Sequence, residues 1–581
     1  MLAVVVALLG LSGTAAAQVV APPLPANDLE ASLPGGQVMS DGVVPIAPHP
    51  KLAPTPRATC DKASQPLNDP IQGRVSQADM DQPQADKGWT CNTRVVGRYP
   101  TPGGFRVWRF RDRNGHVCGF YDSSMGSPLN LVSISALPTQ GVVVLDMSDP
   151  AHPVQTAALT TPGMISPHES LNLNTARGLL AAVNGNPATY PGYVDIYDLH
   201  ADCRHPVMDY GGVLAPLGHE SGFSMDGKTF WATGTASKSV TAIDVTDPKA
   251  PHVVEQIQVQ SHGMSLSDDG NRAYIADPTG RNMLILDTSQ IQARKANPQV
   301  TEVSRITWSR VSIPQNAIPF TENGHPYVLE FDEYNQSTLS PGSDPDTVGA
   351  ARIIDIADEK TPKLVSNIRL AIDNPAEHKQ YGGDPGADGS TQGGAQGYAA
   401  HYCNIPTRVD PKLVACSFIA SGLRLFNISD LAHPKEVGYF VAPTQAKPEN
   451  GGSASNFAMS MPAFVPQRRE IWWTDGTSGF YALRVADGAW AEAAKAKPPA
   501  VQSICLSKRR FTIHLPARVR TARVYVDGKR VAVRRRGLRL QSVVDLRKLK
   551  FKTVTVRITG RTKGGKAFRQ TRRYHTCRPG S

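Results

Sequence analysis

SVTAIDVTDPKAPHVVEQIQV, residues Ser239 to Val259, decides how the rest of the chain is read. Val240, Ala242 and Asp244 alternate with Thr241, Ile243 and Val245, the period of a pleated strand. Asp247 and Pro248 then break the ladder. An Asp side chain folds back onto its own backbone, and Pro has no N–H to donate. Pro251 sets the exit, and VVEQIQV resumes as a second strand.

The pattern recurs. GVVVLDMSDPAHPVQTAAL begins at Gly141, ARIIDIADEKTPKLVSNIRL at Ala351 and GLRLFNISDLAHPKEVGYF at Gly422. Weaker copies begin at Tyr193, Asn282 and Gly479. The strand-ending positions are Asp146, Asp198, Asp244, Asp287, Asp355, Asn427 and Arg484, spaced 43 to 72 residues apart. A further strand pair precedes each copy, such as HESGFSMDGKTFWATG or HGMSLSDDGNRAYIAD. Each unit is therefore about four short strands, a sheet too small to bury its own faces. Stacking such sheets radially covers them. The expectation is an all-β chain with a seven-bladed β-propeller over residues 91–490, followed by a small antiparallel β-sandwich over residues 503–579. The segment Thr93 to Pro100 resembles the outer-strand text KEVGYFVAP and is expected to complete the last blade, removing an unpaired edge.

The D-x-S-D-P-x-x-P turn after a G-[LV]-x-[LIV] strand resembles the LVIVD-repeat family of secreted bacterial β-propellers. The resemblance covers most of residues 91–490 and implies a repeat architecture more than a chemistry. A more distant likeness, in architecture alone, is to the selenium-binding propellers with methanethiol oxidase activity. Their central histidines are linked to a copper-dependent reaction, but their motif text is absent here, so no residue role carries over.

Residues 1–17, MLAVVVALLGLSGTAAA, have the apolar run and small-residue end of a secretory signal peptide. No other stretch approaches the length of a membrane span. The chain is expected to be secreted or held at the cell surface. Residues 18–90, rich in Pro, are expected to form a linker or a loosely attached arm. Eight cysteines in an exported chain favour disulfides, and no C-x-x-C supports a zinc ribbon or redox motif. Cys403 and Cys416 flank a turn containing Asp410-Pro411, and Cys505 and Cys577 bracket the last domain; both pairs are expected to be bridged. Pairing among Cys60, Cys91, Cys118 and Cys203 is open.

Charge divides the chain. It holds 61 Lys and Arg against 50 acids, but from Cys505 to Ser581 the count is 24 against Asp527 and Asp545 alone. The preceding residues thus hold 37 against 48. The basic tail alternates like strands, with Asp527-Gly528 as a hairpin turn, and resembles the immunoglobulin-like modules that end many secreted actinobacterial proteins. Arg534, Arg535 and Arg536, with outward positions such as Arg523, Arg557 and Arg569, are candidates for binding a polyanion. An anionic cell-wall polymer or surface glycan is the expected partner, with a protein partner also open. Nucleic acid is not expected, because an exported chain rarely meets it.

Enzyme motifs are mostly missing. His168-Glu169 and His219-Glu220 lack the second His of HExxH. GRTKGGKA, Gly560 to Ala567, lacks the Ser or Thr of a phosphate loop, and no G-x-S-x-G occurs. Trp472, Trp473, Phe480 and Tyr481 are read as strand residues packing between blades, with a sugar subsite as the weaker alternative. One constellation remains. His168, His219, His262 and His401 each open a unit's first strand, the innermost strand of a propeller blade. They are expected to converge, with Glu169, Glu220, Glu330 and Asp332 as further donors. Neutral imidazole suits copper, zinc or iron. The competing reading is a set of histidines bonding a neighbouring blade's backbone. Two functions stay open: a secreted scaffold that binds a ligand or partner and is held by its cationic module, or a metal-dependent, copper-like oxidoreductase.

Overall fold

The polar residue that ends each repeated strand closes a turn on its own backbone. The side-chain oxygens of Asp146, Asp198, Asp244, Asp287, Asp355 and Asn427 each accept the N–H two residues on, at 2.7 to 2.9 Å. This satisfies the chain where the ladder stops and fixes the exit of the next strand. Arg484, the seventh position, makes no such turn; it approaches Glu470 at 3.8 Å.

These features come from a computed structural model describing residues 37–38, 52–123, 141–185, 191–308, 310–334, 347–381, 397–443, 457–490, 510–537, 539–546 and 553–575. The chain divides into two units, Met1–Lys495 and Ala496–Ser581, and both are all-β. The first unit opens with β1 (Gln37–Val38), β2 (Trp89–Cys91) and β3 (Thr93–Tyr99). Antiparallel sheets then follow in order. The first holds β4 (Val107–Arg111), β5 (Val117–Asp122), β6 (Val142–Asp146) and β7 (Val154–Leu159). The second holds β8 (Asn172–Asn174), β9 (Leu179–Val183), β10 (Gly192–Asp198) and β11 (Val207–Ala215). The third holds β12 (Glu220–Phe223), β13 (Thr229–Gly234), β14 (Ser239–Asp244) and β15 (His252–Gln258), with β1 on its outer edge. The fourth holds β16 (Met264–Leu266), β17 (Arg272–Asp277), β18 (Asn282–Asp287) and β19 (Thr301–Ile306). The fifth holds β20 (Ile313–Glu322), β21 (His325–Glu333), β22 (Ala351–Asp355) and β23 (Lys363–Ile368). The sixth holds β24 (Ala400–Asn404), β25 (Leu413–Phe418), β26 (Gly422–Asn427) and β27 (Lys435–Val441), with β2 as a fifth strand. The seventh holds β28 (Ala463–Val465), β29 (Glu470–Asp475) and β30 (Gly479–Val485), and β3 pairs antiparallel with β30.

First strands of successive sheets lie side by side: β8 by β12, β12 by β16, β16 by β20, β20 by β24, and β28 by β4. Apolar clusters fill the spaces between sheets; one joins Trp472 and Phe480 to Tyr121 and Val143. Trp472, Trp473, Phe480 and Tyr481 are each at most 2% exposed, so they pack between sheets and line no sugar subsite.

Residues 52–91 depart from the expected loose arm. Trp89, Val75 and Asp79 are buried, and Cys60 is bridged to Cys91. The anchor is Glu436, which accepts from Ala58 N at 3.1 Å, Gln72 Nε2 at 2.8 Å and Arg424 Nη1 at 3.0 Å. Proline-rich text can still be ordered when a buried charge gathers its backbone and side-chain amide donors. The remaining described disulfides are Cys118–Cys203 and the expected Cys403–Cys416. They point to an oxidising, extracellular environment. No helix among the described residues is long and apolar enough to cross a membrane. The signal-like residues 1–17, Cys505, Cys577, residues 335–346 and residues 382–396 lie outside the described residues.

In the second unit β31 (Arg510–His514), β34 (Val533–Arg536) and β35 (Arg539–Asp545) form one sheet. β32 (Val519–Val526), β33 (Lys529–Val531), β36 (Thr553–Thr562) and β37 (Ala567–His575) form another. Val524, Val544, Val554 and Val556 belong to the core between them. The Asp527-Gly528 turn has φ of 49° and 84°, both left-handed, as a two-residue hairpin requires.

Replacing Glu436 by Ala leaves Arg424 buried and unpaired, so it is expected to lower stability by about 3–5 kcal/mol. It should also expose residues 52–88 to limited proteolysis, with Cys60–Cys91 still holding the fragment on. An arm that stays protected at native temperature would show that Glu436 is not its anchor.

Candidate metal centre

Each of the four histidines stands just before or within the first strand of its sheet, so their side chains meet where those strands adjoin. His168 precedes β8, His219 precedes β12, His262 precedes β16 and His401 lies in β24. The ring centroids of His168 and His219 are 4.7 Å apart, and those of His219 and His262 are 4.8 Å apart. The convergence read from the repeat register is therefore present.

The centre of the group is Glu169, whose backbone bridges to Glu220 of the adjoining strand. Its Oε2 lies 3.2 Å from His219 Nε2 and 3.5 Å from His262 Nε2. Its Oε1 lies 3.4 Å from His401 Nε2. Glu333 closes the other side, 2.8 Å from His401 Nε2 and 3.5 Å from His262 Nε2. Glu169 is 2% and Glu333 6% exposed in the side chain, and His401 is fully buried.

The tautomers follow from the backbone. His262 Nδ1 is 3.0 Å from Pro314 O, and His401 Nδ1 is 2.8 Å from Met459 O. A carbonyl only accepts, so in both rings Nδ1 carries the proton and donates it. In a neutral ring Nε2 is then a bare lone pair, aimed at a carboxylate oxygen. Two lone pairs at 2.8 Å repel unless a cation lies between them. A backbone-held Nδ1–H with Nε2 facing inward is also how metal-ligating histidines are oriented.

Polar satisfaction points the same way. His168 Nδ1, both nitrogens of His219, His401 Nε2 and Glu169 Oε2 are buried without a well-aligned hydrogen bond. Such orphans are costly and call for a partner. His168 also holds a left-handed φ of 52°, rare for a residue with a Cβ.

Without a metal, protons supply the cation. Burial favours a neutral His401, but the Glu169 and Glu333 carboxylates outweigh it and push the ring up to about 9. Burial opposes ionisation of Glu169, yet His219, His262 and His401 hold its carboxyl well below the usual range. His168, facing other imidazoles, is pushed down to about 3, chiefly by burial. Burial also lowers His262.

Three of the expected carboxylate donors lie elsewhere. Glu330 and Asp332 share one face of β21 by the period of two, and both pair with Arg352, which sits opposite Glu330 in β22. Glu333, one residue on, takes the opposite side and reaches the histidines. Glu220 pairs with Arg106 and Asn316 and accepts Met264 N at 2.6 Å. Sequence reading missed Glu333 and Arg106. Alternation from Glu330 and Asp332 carried a signal for the first, whereas nothing local signalled the second.

A second cluster, Asp112, His116 and Asp202, is already satisfied. His116 Nδ1 bonds Asp112 at 2.8 Å, and Arg204 grips Asp202 through two nitrogens at 2.9 and 2.8 Å. The basic triplet does not form one surface. Arg534 and Arg536 face one side of their sheet, whereas Arg535 turns to the carbonyl of Arg520 at 3.0 Å.

No family model matches the chain, and no curated protein matches it. Solved structures resemble it distantly. A chain of the mitotic checkpoint complex is 10% identical with a TM-score of 0.41, over 68% of this chain and 95% of that one. A functionally unknown protein from Desulfotomaculum acetoxidans DSM 771 is 13% identical with a TM-score of 0.37, over 55% and 81%. A candidate 6-phosphogluconolactonase from Bacteroides fragilis NCTC 9343 is 12% identical with a TM-score of 0.40, over 60% and 90%.

The two kinds of buried carboxylate should respond differently to isosteric neutralisation. Glu220→Gln strands Arg106, a guanidinium that cannot shed its proton, and is expected to cost about 3–5 kcal/mol. Glu169→Gln faces imidazoles that can become neutral, so in metal-free protein it should cost clearly less. Denaturant unfolding of both variants tests this, and equal losses would make Glu169 an ordinary structural carboxylate.

Proposed function

We propose that the first unit is a closed seven-bladed β-propeller and that its central histidine–glutamate cluster binds one divalent transition metal. The chain is then a metal-dependent oxidoreductase exported to an oxidising compartment. The seven described sheets, the adjoining first strands and the N-terminal strand that completes the last sheet support the propeller reading. One observation carries the metal: the Nε2 atoms of His219, His262 and His401 converge on Glu169, with the Nδ1 protons of two of them held on backbone carbonyls.

Donor atoms lying within 4.8 Å of one another form two sets that share Glu169: His168, Glu169 and His219, and Glu169, Glu333 and His401. Neighbouring ligands about 2.1 Å from one ion at right angles lie about 3.0 Å apart. The separations from Glu169 to the three rings are 3.2, 3.5 and 3.4 Å. Imidazole nitrogens with one or two carboxylates suit iron, copper, zinc or manganese rather than calcium or magnesium. Glu169, Glu333 and His401 would hold the metal, with His219 and His262 beside Glu169. His168 is the least buried residue of the four, and its Nδ1 is buried without an aligned hydrogen bond. Of these ions, copper, iron or manganese would supply one-electron chemistry there, and zinc would not.

The full chain, folded under oxidising conditions and supplied with copper, iron, manganese or zinc, is expected to retain about one ion per chain. Elemental analysis reads the stoichiometry. Replacing His262 and His401 together by Ala should abolish retention while the circular dichroism stays β. Acidification should release the ion, since the ligands must be deprotonated. Cu(II) loading should give an electron paramagnetic resonance spectrum with nitrogen hyperfine structure, lost in the double variant. A folded wild-type chain that retains no ion would end the proposal.

A further inference from the structure

The strongest unexplained surface feature lies in the second unit, on the sheet of β33, β32, β36 and β37. Val524 and Val526 of β32 and Val554, Val556 and Ile558 of β36 point inward and are buried. Strand alternation therefore sends Arg523 and Tyr525, and Arg557, Thr559 and Arg561, to the outer face. Register fixes the rows. Arg530, Tyr525, Arg557 and Thr571 stand side by side across the four strands. The next row is Arg523, Thr559 and Arg569. All five arginines are exposed, and Tyr525 is half-buried.

Two arginines in a row are separated by one intervening strand, about 10 Å, and the rows are about 7 Å apart. Such a lattice of like charge is unfavourable alone and favourable beneath repeated anions. Carboxylates are few here. Of the two acids in Cys505–Ser581, Asp527 occupies the hairpin turn and Asp545 faces Arg510 on the other sheet at 4.0 Å.

We infer that this outer face is a binding surface for an acidic polysaccharide, laid across the strands with its anions on Arg523, Arg530, Arg557, Arg561 and Arg569. The planar guanidinium grips carboxylate or sulfate through paired N–H groups, and the intervening threonine hydroxyls can bond sugar hydroxyls. The face suits other polyanions poorly. Among its described side chains Tyr525 alone is aromatic, too little for a platform on which successive bases would stack. Among the described residues it presents no exposed large apolar side chain to enter a lipid surface; exposed Val543 belongs to the other sheet. Three disulfides in the first unit also place the chain where wall and surface glycans are found.

The test uses the full chain and immobilised polygalacturonate and heparin at 0.1 M salt, with single-stranded DNA as competitor. The triple variant Arg523→Gln, Arg557→Gln, Arg569→Gln is expected to lose about tenfold or more in affinity, as when three ion contacts go at that ionic strength. A control of equal charge, Arg534→Gln, Arg536→Gln, Arg539→Gln on the other sheet, should lose no more than about twofold. Both should melt like the wild type, because exposed charges hold little folding energy. Equal losses in the two variants would reduce the effect to net charge and overturn the assigned face. Binding that ignores salt would overturn the ionic lattice. DNA displacing the polysaccharide at lower concentration, with the same dependence on Arg523, Arg557 and Arg569, would make the face a nucleic-acid site.

Discussion

Each buried glutamate among the described residues faces a basic side chain, and whether that side chain is arginine or histidine separates architecture from chemistry. Glu220 meets Arg106, Glu330 and Asp332 meet Arg352, and Glu436 meets Arg424. Guanidinium keeps its charge and fills several acceptors at once. Among the described residues, Glu169 and Glu333 meet imidazoles, whose charge is conditional. Histidine in place of arginine here lets the cation be exchanged, and an exchangeable cation is what a metal centre needs.

The local chemistry of the chain was readable from its text, and its long-range pairing was not. The strand-ending acids were recognisable because an Asx turn is written within three residues, and six of the seven positions make it. The histidines were recognisable because repeats place equivalent residues at equivalent points, so four first strands imply one meeting place. Cys403 and Cys416 were recognisable because a short hairpin sets them opposite each other. By contrast Arg106 joins Glu220 across 114 residues, and no periodicity announces such a match. Glu330 and Asp332 misled because composition alone does not say which face of a strand a neighbouring arginine will claim.

The proline-rich arm makes the same point from the other side. Its text lacks any period, yet residues 52–91 are held by side chains far along the chain. Glu436 takes its amide donors, Tyr439 Oη accepts Leu67 N at 2.9 Å, and Ser421 donates to Gly73 O at 2.6 Å. Loop closure over such distances costs little more than over short ones, because the entropy grows only logarithmically with length. Cys60–Cys91 adds a local constraint rather than the long-range one. An irregular segment can therefore be part of the core when its polar groups are met one by one.

Redox environment narrows the chemistry of the histidine cluster. The six described cysteines of the first unit are all paired, so no thiolate among them can bind a soft ion. The ligands left for a transition metal in an oxidising compartment are imidazole nitrogens and carboxylates, the two types gathered here. Glu169 and Glu333 together bring two negative charges, which one divalent ion neutralises. Binding the ion would thus exchange buried protons for a charge-balanced centre, at the point where His168 already holds a strained backbone. A site that is costly when empty and balanced when filled is the arrangement expected where function, rather than stability, has set the residues.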